Sequence, residues 1–278
     1  MSSAPPSVRP PRPARPQITL EVVRREQVTP HLVRLVLGGE EFDLFEASDK
    51  TDAYVKIFFA KPELGLAPPY DVAELRETLA PEDLPVTRTY TVRSLDPIAR
   101  TLTIDFVVHG DEGLAGPWAD RARPGDRLTF AGPGGAYSPD PGADWHLLVA
   151  DHSALPATAA ILEALAADAR GLAFIQIPGA SDEIPLAAPR GLEVRWLHGE
   201  ESSVLVDAVS SAVWLPGRPS IFAHGEREAM KALRNLFRER GVVRSELSLS
   251  GYWARGRTED RFQAEKREPI GVIEPVSD

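Results

Sequence analysis

The sequence predicts an antiparallel β-barrel followed by a doubly wound, mostly parallel α/β sheet. Three observations carry this. Six short strand-like runs separated by Gly, Pro and Asp turns fill the first half. Strand and helix patterns alternate in the second half. The change of pattern falls at AGPGGAYSPDPGADW, residues 131–145, which is rich in turn formers.

Residues 1–16 hold six prolines and three arginines, and are expected to be a polyproline-II-prone tail rather than part of a domain. Strands are then expected at Ile18–Arg24, Leu32–Leu37, Tyr54–Phe59, Arg88–Arg93, Thr101–Val108 and Arg127–Phe130. In TLTIDFVV the alternation of apolar and polar residues gives way to a fully apolar stretch, as in a strand entering a core. One helix interrupts the strands at Leu114–Arg121, with Pro117 suited to its first turn. These runs make residues 17–140 a barrel domain.

Residues 141–258 form the expected α/β domain. The buried strand His146–Ala150 is followed by a helix with Ser153 as N-cap, running to Ala167. Strands at Leu172–Ile177 and Leu192–Leu197, a helix at Ser203–Ser211 and a strand at Ser220–His224 come next. The helix Glu226–Arg240 presents Met230, Leu233, Leu236 and Phe237 on one face, and Glu246–Ser250 is the last strand. Residues 259–278 are charged and are expected to be a tail or a short helix.

Composition removes several functions. The chain has 278 residues and a net charge of −10, which disfavours nucleic-acid binding. It has no cysteine, so disulfides, a thiol nucleophile and a Cys-ligated cluster are excluded. Its six histidines are scattered without metal-ligand spacing, so no metal site is expected. No apolar run is long enough to span a bilayer, and the first residues lack the apolar core of a secretory signal. A cytoplasmic monomer is the expectation, with any redox chemistry supplied by an organic cofactor.

Four segments have residue types suited to binding. In Arg88-Thr89-Tyr90-Thr91-Val92-Arg93 a guanidinium can grip phosphate, an aromatic face can cover a planar ring and a hydroxyl can bond a ring nitrogen. An edge strand with solvated arginines is the plain alternative. His109-Gly-Asp-Glu-Gly-Leu-Ala-Gly-Pro-Trp118 is a strand–Gly-rich turn–helix unit, able to cradle a diphosphate or simply to turn the chain. Asp151-His-Ser-Ala-Leu-Pro156 lies at the carboxyl end of the first parallel strand, where open sheets bind ligands, though an ordinary capped helix has the same pattern. In Ser250-Gly-Tyr-Trp-Ala-Arg-Gly-Arg257 two aromatics stand beside cations, for stacking or for packing. Taken together, two anion cradles on different domains imply two nucleotide cofactors meeting at the boundary.

These segments resemble the siderophore-interacting protein family, flavin-dependent ferric-siderophore reductases within the ferredoxin-NADP reductase superfamily. The matching stretches are RTYTVR (88–93), DFVVHGDEGLAGPWADRARPGDRL (105–128), GPGGAY (132–137), ADHSALPATAAIL (150–162), HGERE (224–228) and LSLSGYWARGRTED (247–260). The resemblance implies an FAD-binding barrel and an NAD(P)H-binding α/β domain. It implies that Tyr90 lies against the isoalloxazine, Thr91 bonds near its N5, and Arg88 contacts phosphate or ribityl oxygens, with Arg93 a further contact. It places His109, Gly113, Ala115 and Trp118 in the second FAD segment. It assigns Asp151, Ser153, Ala154 and Pro156 to the nucleotide loop, between NAD(P)H and the FAD adenine. Gly225 and Glu226 resemble the second nicotinamide-nucleotide segment, and Tyr252 and Trp253 the aromatics beside the flavin. Lys56 and Arg255 match basic positions that hold an anionic ferric siderophore, while Ala254 stands where several relatives are also basic.

The expected activity is electron transfer from NAD(P)H, or from a ferredoxin, through FAD to siderophore-bound Fe(III), with no acid–base catalyst and no protein-ligated metal. A general flavin reductase or oxygenase-type reductase is the alternative, and a non-redox ferric-siderophore carrier a second. Asp182 and Glu183, after the strand ending at Ile177, lean the donor towards NADH, because acids repel a 2′-phosphate and can bond a ribose diol.

Overall fold

A computed structural model describes residues 15–111 and 113–276. Most of the Pro/Arg-rich tail expected at 1–16 therefore lies outside the described residues.

The first half is a closed barrel. Its strands are β1 (Gln17–Thr29), β2 (Leu32–Gly38), β3 (Tyr54–Phe59), β4 (Val86–Asp96), β5 (Thr101–Val107) and β6 (Arg127–Gly134). They close in the order β1-β2-β5-β4-β3-β6 through antiparallel pairs. Alternation along each strand sends Ile18, Leu20, Leu35, Ile57, Ile104, Phe106 and Phe130 into one dry core, and closure leaves no open edge. Across β2 and β5, Arg34 makes two 2.7 Å bonds to the buried carboxylate of its register partner Asp105. The β3–β4 excursion carries α1 (Val72–Thr78), capped by Asp71. No sequence signal predicted it, because none of its residues is buried and it has no apolar stripe to recognise. Helix α2 (Ala115–Arg121) follows β5 with Pro117 in its first turn, as expected.

The second half comprises β7 (Trp145–Ala150), α3 (Leu155–Ala164), β8 (Arg170–Ile177), β9 (Gly191–His198), α4 (Ser202–Ser211), β10 (Pro219–Glu226), α5 (Arg227–Glu239), β11 (Leu247–Trp253) and α6 (Glu259–Glu265). Its five strands are all parallel, in the order β11-β10-β7-β8-β9. The order reverses between β7 and β10, and a crevice of this kind is where open α/β sheets take ligands. Leu148, Ala173 and Phe222 face α3 on one side, while Leu147, Val149, Ile221 and Phe174 face α4 and α5 on the other.

The start and end of α3 differ from expectation. Ser153 is not the N-cap: Asp151 caps a single 3-10 turn, His152–Ala154, its carboxylate accepting the Ser153 amide at 2.9 Å, and α3 then starts from Ala154 with no side-chain cap. The helix ends at Ala164 because Leu165 turns to extended backbone and packs into the α3-side core.

The two halves meet along a mixed seam. Leu32 of the barrel packs with Leu155, Ile175 and Ile177. Arg93 of β4 donates to Glu163 of α3 at 2.9 and 2.5 Å. Asp182, fully buried, accepts Thr29 Oγ1 at 2.8 Å and the His31 amide at 3.1 Å, and pairs with His31 Nδ1 at 2.9 Å. Its sequence reading is corrected here. Asp182 is committed to the seam, and Glu183 pairs with His198 Nε2 at 2.8 Å, so this acid pair gives no basis for preferring NADH.

Candidate functional site

Strand β4 presents its ligand-type side chains in the expected alternation. Arg88 and Tyr90 are half-buried on one face, and Val92 continues that face into the barrel core. A bulge between Val92 and Ser94 then shifts the register. Tyr90 lies 4.4 Å from Phe106, ring centre to ring centre, and Trp118 lies 6.4 Å from Phe106 and 6.0 Å from Phe59. These rings make an aromatic wall on the barrel. Burial holds the Tyr90 hydroxyl protonated well above its usual range. Thr91, next along, is buried.

The two arginines of this strand are already engaged. Arg88 donates to the Thr87 carbonyl and, through both terminal nitrogens, to Asp260 of α6 at 2.9 and 3.2 Å. Arg93 reaches across the seam to Glu163, leaving its buried Nε without a hydrogen bond among the described residues, 4.0 Å from Asp105 Oδ2.

After β5 the chain enters the Gly-rich turn. Gly110 and Gly113 have φ of +59° and +81°, values that favour glycine, and a Cβ on either would meet nothing within 4 Å. His109 is exposed, Ala115 is buried and Trp118 is half-buried. Glu112 of this turn lies outside the described residues.

Across the crevice, Asp151 ties three strand ends together. Its Oδ2 accepts the Glu226 amide at 2.7 Å and Trp253 Nε1 at 2.7 Å, while its Oδ1 accepts the amide and hydroxyl of Ser153 at 2.9 and 2.6 Å. Desolvation raises its pKa against these bonds. A Cβ at position 225 would lie 2.7 Å from Asp151 Oδ2, so this approach requires Gly225. The Glu226 carboxylate is also occupied: it caps α5 through the amides of Glu228 and Ala229 at 2.7 and 3.0 Å, and accepts the Arg255 amide at 3.2 Å. Ala154 and Pro156 are buried in the packing of α3.

The C-terminal aromatics flank this node. Tyr252 meets His224 edge-on at 5.0 Å, and His224 stacks on Phe222 at 3.9 Å. Burial, and then the charges of Asp52 and Asp151, push the Tyr252 hydroxyl upward. The Arg255 guanidinium sits 5.7 Å from the centre of the Trp253 ring and donates to the Glu200 carbonyl. Lys56 is exposed on β3 opposite Thr89, with no ion pair among the described residues.

Two residues escaped the sequence reading. Asp260 was invisible because its partner Arg88 is 172 positions away. His152 lies inside the Asp151–Pro156 segment, but the sequence gives it no role of its own; it is 7% exposed and neither ring nitrogen has a hydrogen-bond partner among the described residues.

The residues suit a flavin dinucleotide. Tyr90 gives a ring-sized apolar face backed by Phe106, Arg88 gives a phosphate-type donor fork, the glycine turn leaves open space, and the unpartnered ring nitrogens of His152 lack a hydrogen-bonding group.

Comparison with known proteins agrees. The profile of the siderophore-interacting FAD-binding domain matches residues 21–137, and that of siderophore-interacting protein matches residues 143–256. The chain is 45% identical to an uncharacterized protein of Mycobacterium tuberculosis, over 91% of this chain and 96% of that protein. It is 34% identical to the ferric vibriobactin reductase of Vibrio cholerae, over 89% and 93% of the two chains. A siderophore utilization protein from T. fusca superposes with a TM-score of 0.76 at 39% identity, covering 87% of this chain and 94% of the other.

Proposed function

Because the chain belongs to the siderophore-interacting protein family, we propose that it is an NAD(P)H-dependent ferric-siderophore reductase acting through FAD. The observation that carries this is that both halves match, in order, the two siderophore-interacting domains. Two relatives, the ferric vibriobactin reductase of Vibrio cholerae and the NADPH-dependent ferric-chelate reductase of Escherichia coli, are named for the chemistry.

Bound FAD would supply the step that side chains cannot, taking two electrons at once and passing them on singly. The balance is one NAD(P)H oxidised to NAD(P)⁺, two Fe(III) reduced to Fe(II) and one proton released. The protein's part is placement. Tyr90 and the wall behind it would exclude water from one face of the ring. Arg88, with Thr91 on the same strand, and Gly110 and Gly113 of the glycine turn would hold the phosphates. Trp253, fixed through Asp151, and Tyr252, against His224, would close the other side of the crevice. Lys56 and Arg255 draw in an anionic ferric chelate, which is substrate and needs no protein ligand to iron. Reduction weakens the hold of hard oxygen donors on the metal, and Fe(II) leaves in the cytoplasm. The protein works as a monomer.

The test is anaerobic. The purified protein should be yellow, bleach on adding NADH or NADPH, and regain colour with a ferric siderophore while a ferrous-specific dye develops. Bleaching followed by reduction of free flavin, with no ferrous iron from any chelate, would make it a general flavin reductase instead.

A further inference from the structure

We propose that the space between β11, α6 and the C-terminal segment 267–276 is a binding site for a small carboxylate with an apolar body, of the size and chemistry of benzoate, and that Lys266 is its anion-binding residue. None of the residues lining this space belongs to the crevice described above, and the inference does not depend on the flavoprotein reading.

The first observation is a cavity of about 340 Å³, walled by Arg227, Leu249, Gly251, Phe262, Lys266 and Ile273 among others. It exists because the chain passes the sheet without joining it. Strand β11 is the end strand of the sheet. The segment after α6 runs beside it and is tied to α5 instead: Lys231 donates to the Ile270 carbonyl at 2.6 Å, and Arg234 to the Glu274 and Pro275 carbonyls at 2.8 and 2.6 Å. No backbone hydrogen bond among the described residues joins this segment to β11. The outward N–H and C=O groups of that edge are therefore left for another partner.

The second observation is the charge of the walls. The chain carries a net −10, yet no acidic side chain lines this cavity and two basic ones do. Their states differ. Arg227 is spent, donating to Glu265 at 2.6 Å and to Glu228 at 3.1 Å. Lys266 makes no ion pair among the described residues, and its ammonium rests 4.6 Å from the centre of the Phe262 ring. An ammonium held against an aromatic face has given up part of its water, so a carboxylate reaching it gains more than it would at a fully hydrated lysine.

The walls together select the ligand. One carboxylate oxygen can take the Lys266 ammonium and the other an N–H of the open edge. An apolar body then covers Leu249, Phe262 and Ile273, in the usual pattern of a mostly apolar pocket with a few fixed polar groups. Inorganic phosphate meets the cation but leaves those three walls wet. A neutral alcohol of the same shape covers the walls but leaves the ammonium unpaired.

The experiment is isothermal titration calorimetry on the purified full-length chain, with benzoate, inorganic phosphate and benzyl alcohol as probes. Benzoate should bind about tenfold tighter than either of the others. Lys266→Met keeps the apolar stem and removes the charge, and should weaken benzoate about tenfold, while Lys266→Arg should restore it. Val272→Trp, at an exposed lining position, should fill the space and block benzoate. Thermal midpoints establish that each variant is folded. The crevice cations serve as the control: alanine at both Lys56 and Arg255 should leave the benzoate Kd unchanged. No heat from benzoate with wild type, phosphate bound as tightly as benzoate, an unaffected Lys266→Met, or loss of binding in the Lys56 and Arg255 variant overturns the inference. Flavin content and ferrous-iron release are read separately on the same preparation, so failure of the reductase reading is distinguishable from failure of this one.

Discussion

Asp260, in the first turn of the C-terminal helix, grips the terminal nitrogens of Arg88 at 2.9 and 3.2 Å. That guanidinium is the one proposed to hold the cofactor phosphate. A carboxylate on the same fork is an internal rival for it. Asp260→Asn should therefore tighten FAD binding by about threefold, a modest gain because the aspartate is largely exposed and screened. Arg88→Gln should weaken it by about tenfold. Fluorescence titration of both variants checks the signs; weaker binding in Asp260→Asn would mean that the aspartate orients Arg88 for phosphate.

The Arg93–Glu163 pair joins β4 to α3. With Glu163 partly exposed, its contribution to stability is about 1 kcal/mol at most. Glu163→Gln should lower the thermal midpoint of the FAD-free protein by about 2 °C. A double-mutant cycle with Arg93→Gln should return most of that as coupling. If Arg93 acts chiefly on cofactor, the glutamate variant will leave the midpoint unmoved.

Lys56 and Arg255 are predicted to act through charge. Alanine at both should raise KM for an anionic ferric chelate about tenfold at low salt with little change in kcat, and the gap should narrow at high ionic strength. Steady-state rates across a salt series on anionic and neutral chelates provide the check, the neutral chelate being insensitive.

Acid should destabilise the fold before its carboxylates titrate. Burial lowers the His224 pKa to about 3 from the usual 6.5, so the unfolded chain binds this proton more readily than the folded one. Stability is then full above about pH 6.5 and falls as pH drops towards 3, by about 2 kcal/mol at pH 5. His152 acts in the same sense between 6.5 and about 4. Glu265 works lower: Arg227 and Arg261, followed by Arg257, hold it down at about 2 against an ordinary 4.5, so its contribution fades only below pH 4.5. Thermal midpoints from pH 8 to 4 should show a shallower decline in His224→Gln, which keeps a polar group near Ser248 but does not titrate.

The barrel and the sheet were legible because their signals are local. Thr101–Val107 alternates within seven residues, and Trp145–Ala150 is apolar throughout. What was illegible depended on partners far along the chain. Asp151 is a cap whose other oxygen serves Glu226 and Trp253, 75 and 102 positions on. Asp182 looked like a nucleotide-loop acid until Thr29 and His31, about 150 residues upstream, claimed it. Residue types named the binding strand; only tertiary placement showed that both its arginines are already engaged.

Leu32, Leu155, Ile175 and Ile177 form a greasy strip shared by the two halves. Severing the chain between Ser138 and Gly142 would bare that strip on both fragments. Each would then be prone to clump on expression, however complete its own fold. Anyone wishing to study the halves singly would have to recolour those four positions with polar side chains first.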